Sequence, residues 1–138
     1  MIRDVVVSSR PSQWIKNLVV FLPLLFSFNE SWDLSNASHV LQLLLNEAFC
    51  FFAFILASSS IYLLNDVFDA EKDRLHPEKK NRPVAKKSIG RRTALAASFI
   101  LMLVSFGFTI GSSLSVITSI ASYLVLMILY GIWFRNIF

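Results

Sequence analysis

The chain has 138 residues, 55% of them apolar and only 16% charged, with a net charge of +4 and a mean hydropathy of +0.60. A soluble domain usually carries about 25% charged residues, so this balance excludes an ordinary soluble domain; long uncharged runs between polar clusters indicate a polytopic membrane protein. The single cysteine, Cys50, excludes an internal disulfide and a zinc cluster, and its apolar surroundings make it a small buried hydrophobe.

Residues 1–17 are mixed in character, with Arg3, Arg10 and Lys16 set against Asp4. A signal-peptide layout is absent, because Ser12, Gln13, Lys16 and Asn17 interrupt the segment before any hydrophobic stretch. The first apolar run, 14–28, is short for a span and contains Pro23, which predicts a kinked, tilted or partly re-entrant helix. Trp14 suits a headgroup-level anchor, and Pro11 a first helical turn. A polar connection follows over 29–39, with Glu30, Asp33 and His39 but no Lys or Arg. Within it Asn36-Ala37-Ser38 matches a glycosylation sequon, a short pattern that chance explains.

A second run, 40–64, is expected to span, with Asn46 and Glu47 in structural positions near its start. Its helix is expected to continue to about Asp73. The loop beyond is densely basic: nine of the chain's thirteen Lys and Arg residues lie between Lys72 and Arg92. Two further spans are predicted at 93–110 and 114–134, joined by a turn at Gly111-Ser112-Ser113, with Arg135 and Asn136 closing the last. The expected fold class is therefore an all-α transmembrane bundle of about four spans in one domain. The positive-inside rule puts the N-terminal basic group, the motif loop 65–92 and Arg135 in the cytoplasm, and the 29–39 and 111–113 connections outside.

At the cytoplasmic edge of the second span stand Asn65, Asp66, Asp69 and Asp73. On a helix they fall within an arc of about 100°, while Glu71 falls outside it. Like charges on one face repel, so a cationic partner is required, and hard oxygen ligands suit Mg²⁺. Carboxylates beside many Lys and Arg residues point to a phosphate ester held from two sides, in a site that stabilises a departing pyrophosphate. For the Lys and Arg alone, the plainer reading is a solvated loop that fixes orientation and attracts anionic lipid. An ion channel or transporter is disfavoured, because the charges sit at the membrane edge rather than in mid-span.

The pattern Asn65-Asp66-x-x-Asp69-x-x-x-Asp73 resembles the first aspartate-rich motif of UbiA-type intramembrane prenyltransferases, and His76-Pro77-x-Lys79-x-x-Arg82-Pro83 is similar to that superfamily's cytoplasmic loop. Arg10-Pro11-x-Gln13-Trp14-x-Lys16-Asn17 resembles one branch, the decaprenyl-phosphate phosphoribosyltransferases; Tyr130-x-x-Trp133-x-Arg135 resembles it less specifically. The resemblance implies the N-terminal half of the UbiA-type fold in a bacterial inner membrane. It implies a Mg²⁺-dependent transfer of 5-phosphoribosyl from phosphoribosyl pyrophosphate to a polyprenyl phosphate, in the making of a cell-wall lipid precursor. By motif position, Asp66, Asp69 and Asp73 would be catalytic residues at the Mg²⁺ and diphosphate site. Asn65 would orient the donor. Lys16, Lys79 and Arg82, with Arg10 and Asn17, would contact phosphate. Trp14 would be an anchor and His76 a loop-structuring residue.

The implied partners are the polyprenyl lipid, the diphosphate donor and membrane lipid, without nucleic acid. UbiA-type enzymes are about twice this length and carry a second aspartate-rich motif, whereas no carboxylate follows Glu78 here. The chain is therefore expected to be the N-terminal part of a longer protein, completed by a C-terminal half or by a second copy. Two other readings stand beside this one. The first is an aromatic prenyltransferase using a prenyl diphosphate; the second is a non-catalytic membrane protein, truncated or a subunit.

Overall fold

A computed structural model describes residues 2–133; the expected roles of Phe134, Arg135 and Asn136 lie outside the described residues. The elements are α1 (Ile2–Ser8), a 3-10 helix (Pro11–Phe21), α2 (Leu22–Phe26), α3 (Ala37–Leu75), a 3-10 turn (Lys79–Asn81), α4 (Arg91–Gly107) and α5 (Leu114–Ile132). No strand forms among the described residues beyond an isolated bridge between Phe28 and Trp32. The fold is all-α, as the sequence predicts.

Helix α3 organises the molecule. Asn36 caps its start, where the side-chain oxygen accepts a hydrogen bond from the His39 backbone N–H at 3.1 Å. The sequon asparagine thus serves as a helix cap. At 39 residues the helix is about 58 Å long, against a hydrocarbon layer of about 30 Å. It therefore projects well beyond the apolar run and carries the acidic stretch with it. Its helical geometry ends only after Leu75, so residues 65–75 are helix and the basic loop proper begins at His76.

Among the described residues, α3 and α5 are the two helices long and apolar enough to cross a membrane. Helix α4 has 17 residues, about 25 Å, which falls short of the hydrocarbon thickness unless flanking residues contribute. The first expected span differs most from the sequence reading. Residues 11–21 wind as a 3-10 helix, and only Leu22–Phe26 are α-helical. Three residues per turn align Trp14 and Asn17 in one row, and both side chains are tied to α3, as described below. Pro23 then occupies the start of α2, where its missing N–H costs little.

Small residues let α3 and α4 approach closely: Ala53, Ala57, Ser60, Ala94, Ser98 and Ser105 are all buried. Two serines of α4 bond across the interface to carbonyls of α3. Ser98 Oγ donates to Ser60 O at 2.8 Å, and Ser105 Oγ donates to Ala53 O at 2.7 Å. Helix α5 packs Ile120 and Leu124 onto Ala53, Ala57 and Ile61. At the end that carries the acidic stretch, Leu63, Val67 and Ala70 of α3 meet Val84, Ile89 and Ala94, with Val5 of α1 against them. Large apolar side chains such as Phe49, Phe99, Ile100, Leu103, Leu126 and Leu129 point outward, a distribution suited to lipid rather than water.

Candidate active site

The N-terminal segment, the end of α3 and the basic loop meet at one end of the bundle. Along α3, residues 58, 59, 62 and 66 form a track on which the segment 10–17 is seated. Asn17 Nδ2 donates to Ser58 Oγ at 3.2 Å; Trp14 Nε1 donates to Ser59 Oγ at 3.1 Å and to its own segment's Ser9 O at 3.3 Å. Arg10 lies over the Tyr62 ring, with Cζ 4.7 Å from the centroid, and its Nη2 donates to Asp66 Oδ1 at 2.9 Å. Arg10 adopts φ 51°, the left-handed region, at the turn between α1 and the 3-10 helix. For a side chain other than glycine that conformation is costly, and it is held here by the contacts the side chain makes.

The carboxylates divide into two groups. Asp66 and Asp73 are buried, at 2% and 4% exposure, and arginines meet both. Arg82 Nη1 lies 2.8 Å from Asp73 Oδ2 and 3.5 Å from Asp66 Oδ1, so one guanidinium bridges the two aspartates. Asp66 therefore sits between Arg10 and Arg82. It lies beyond the apolar run that ends at Leu64, and burial pushes its carboxyl above the ordinary 3.8, with Arg10 and then Arg82 pulling the other way. The Ser8 hydroxyl also favours the charged form of Asp66 from nearby, but it is buried without reaching hydrogen-bond geometry with any partner.

Asp69 is half-exposed. With Asp73 it lines a polar cleft of about 240 Å³ that also contains Lys72, His76 and Lys79. His76 Nδ1 accepts from the backbone N–H groups of Glu78 and Lys79, at 3.2 and 3.4 Å, which fixes the turn that opens the loop. Farther round, Glu71 binds Arg74 and Arg91, each at 2.7 Å, on the outer surface. Arg74 Nε also donates to Ala85 O at 2.9 Å, fixing the loop to α3.

Among the described residues no three His, Cys, Asp or Glu side chains stand close enough to hold a metal between them. Two carboxylates facing a cleft with lysines are nonetheless the donor set Mg²⁺ uses when phosphates and water supply the remaining ligands. Asp69 and Asp73 line that cleft, Asp73 while also paired with Arg82, and fit that role. Asp66, expected as a third ligand, does not line the cleft and is paired with Arg10 and Arg82.

Of the other expected site residues, Lys79 lines the cleft and Arg82 links the buried aspartates. Lys16 is exposed on the 3-10 helix, while Asn17 is spent on Ser58. Asn65 faces α5: a Cβ added to Gly131 would come within 2.9 Å of Asn65 Oδ1. Sequence reasoning missed Tyr62, Ser8, Lys72 and Gly131. Tyr62 stands one helical turn before Asp66, a spacing that places it on the acidic face, and Lys72 adjoins Asp73; these two had a readable signal.

Comparison with known proteins gives one consistent answer. Residues 31–138 match the UbiA prenyltransferase family. The chain is 33% identical over 105 residues to the decaprenyl-phosphate phosphoribosyltransferase of Mycolicibacterium smegmatis, covering 76% of this chain and 32% of that protein. It is 29% identical over 123 residues to the enzyme of that name from Corynebacterium glutamicum, covering 88% and 35%. It is 31% identical over 121 residues to nodulation protein NoeC of Azorhizobium caulinodans, covering 88% and 36%. The chain thus spans about a third of the length of the curated relatives it matches. The chain belongs to the UbiA prenyltransferase family.

Proposed function

We propose that this chain supplies one half of the donor site of a membrane transferase that moves 5-phosphoribosyl from phosphoribosyl pyrophosphate to a polyprenyl phosphate. The observation that carries the reading is the juxtaposition of a carboxylate-and-lysine cleft with two arginines bridged through buried aspartates. The relatives named decaprenyl-phosphate phosphoribosyltransferase support the choice of donor and acceptor. Mg²⁺ bound at Asp69 and Asp73 would neutralise charge on the diphosphate.

The chain's own residues do the rest. Lys72 and Lys79 bind the outer phosphate oxygens, and Arg10 and Arg82 offer their remaining N–H groups to the same diphosphate. Asp66 and Asp73 hold those guanidinium groups at fixed positions. In the reaction an oxygen of the lipid phosphate forms a bond to the anomeric carbon, and the C–O bond to pyrophosphate breaks. Pyrophosphate leaves with the electron pair, and its charge develops where the basic groups already stand. Lys16, exposed on the 3-10 helix, would meet the acceptor's phosphate.

In the same reading the chain crosses a bacterial inner membrane about four times, with the segment 11–26 and α4 completing the set that α3 and α5 begin. The N-terminal group and the motif loop face the cytoplasm by the positive-inside rule; in support, Ser88 of the loop donates to Asp4 of α1 at 3.2 Å, so both lie at one end. The remaining wall of the site comes from a further segment or a second copy. Equilibrium binding to the protein as the cell makes it tests the donor. Phosphoribosyl pyrophosphate is expected to bind with Mg²⁺ and not with EDTA; binding of a prenyl diphosphate alone would assign the chain to the aromatic prenyltransferase reading instead.

A further inference from the structure

The donor site just described needs Arg10 in a fixed place, yet Arg10 sits on a turn rather than on a helix. Its backbone is in the left-handed region, and its side chain is 31% exposed. A long side chain in that setting has many rotamers to lose, so something other than the backbone must orient it. The Asp66 carboxylate fixes one N–H of the guanidinium at 2.9 Å. A single hydrogen bond leaves the guanidinium plane free to swing about it.

The second constraint is Tyr62. It precedes Asp66 by four residues on α3, so the two side chains lie one above the other on the same face. The Arg10 guanidinium lies over this ring, with Cζ 4.7 Å from the centroid. The cation–π contact limits its swing, and the ion pair with Asp66 fixes one N–H group. Held at two points, Arg10 keeps its other N–H groups for a further acceptor.

We propose that Tyr62 is a positioning residue for the diphosphate donor, acting through Arg10: the ring limits the swing of the guanidinium so that its remaining N–H groups meet a phosphate. This rests on the reading of the site as a diphosphate site. The contact requires an aromatic face on α3 and a planar cation on the N-terminal segment; the tyrosine hydroxyl is not needed.

The test is the donor KM and kcat of the intact protein for Tyr62→Phe, Tyr62→Leu and Arg10→Lys, with phosphoribosyl pyrophosphate and Mg²⁺. Tyr62→Leu is expected to raise KM roughly 3- to 30-fold, the range a stacked cation supplies, with kcat changed less. Tyr62→Phe is expected to stay within about twofold of wild type, because a phenyl ring stacks as well. Arg10→Lys keeps the charge, loses the planar stack and leaves α3 untouched; it is expected to show the same KM rise even if Tyr62→Leu folds poorly. In an Arg10→Lys background, Tyr62→Leu should add little. A wild-type KM in both Tyr62→Leu and Arg10→Lys, or an undiminished Tyr62→Leu effect in the Arg10→Lys background, would overturn the role of Tyr62 while leaving the donor site standing. A wild-type protein that neither binds nor uses the donor would instead overturn the functional reading, and this inference with it.

Discussion

Asp66 and Asp69 are three residues apart on the same helix face, yet they are set to do different work. Asp66 is buried between Arg10 and Arg82, so removing its charge leaves two guanidinium groups with less compensation. Because burial outweighs the two arginines at this carboxyl, Asp66→Asn is expected to keep stability within about 1 kcal/mol of wild type and to raise donor KM several-fold by releasing Arg10 and Arg82. Thermal unfolding in detergent and donor kinetics read the two effects, and an unchanged KM would contradict the role of the cluster. Asp69 is half-exposed on the cleft. Asp69→Asn should leave unfolding within about 0.5 kcal/mol of wild type and lower transfer by about a hundredfold or more. On the outer surface, Arg91→Ala removes an exposed pair with Glu71 and should cost less than about 1 kcal/mol, with donor KM unchanged. The spacing of the four polar residues was enough to place them on one face. The pairing of Asp66 with Arg10 involves a residue distant in sequence, so spacing within α3 could not reveal it.

At the scale of elements, long apolar runs made α3 and α5 legible, and the nine-charge basic stretch made the loop legible. The segment after Arg10 was not. Its apolar content suggested a span, whereas its geometry follows from Trp14 and Asn17 binding Ser59 and Ser58, contacts that favour the three-residue turn. Serines inside an apolar run carry no pattern that announces such a role. The same holds for Ser98 and Ser105, which bond α4 to α3. Replacing either with alanine is expected to cost about 0.6–1 kcal/mol, measured by unfolding in detergent. A neutral result for both would mean that small-residue packing alone holds the interface. Gly131 marks the corresponding point on α5. Gly131→Ala places a Cβ against Asn65 Oδ1, and the asparagine must turn away. A rise of a few fold in donor KM, with unfolding little changed, is the expected consequence if Asn65 orients the donor.

For the whole molecule, the arrangement concentrates basic groups at one end and leaves the polar 29–36 turn far along α3 from it. The proposed four crossings predict that cysteines placed at Ser35 and Ser112, in a Cys50→Ala background, react with an impermeant reagent added outside intact cells. A cysteine at Lys80 should react only after the membrane is opened. Labelling of all three from the same side would contradict the topology. The central claim is chemical, and transfer tests it most directly. Membranes containing the protein as the cell makes it are supplied with phosphoribosyl pyrophosphate labelled in the sugar and with a polyprenyl phosphate. The account predicts label in the lipid fraction that requires Mg²⁺ and is lost in Asp69→Asn. No label in the lipid with wild-type protein, or label that persists undiminished in Asp69→Asn, would contradict it.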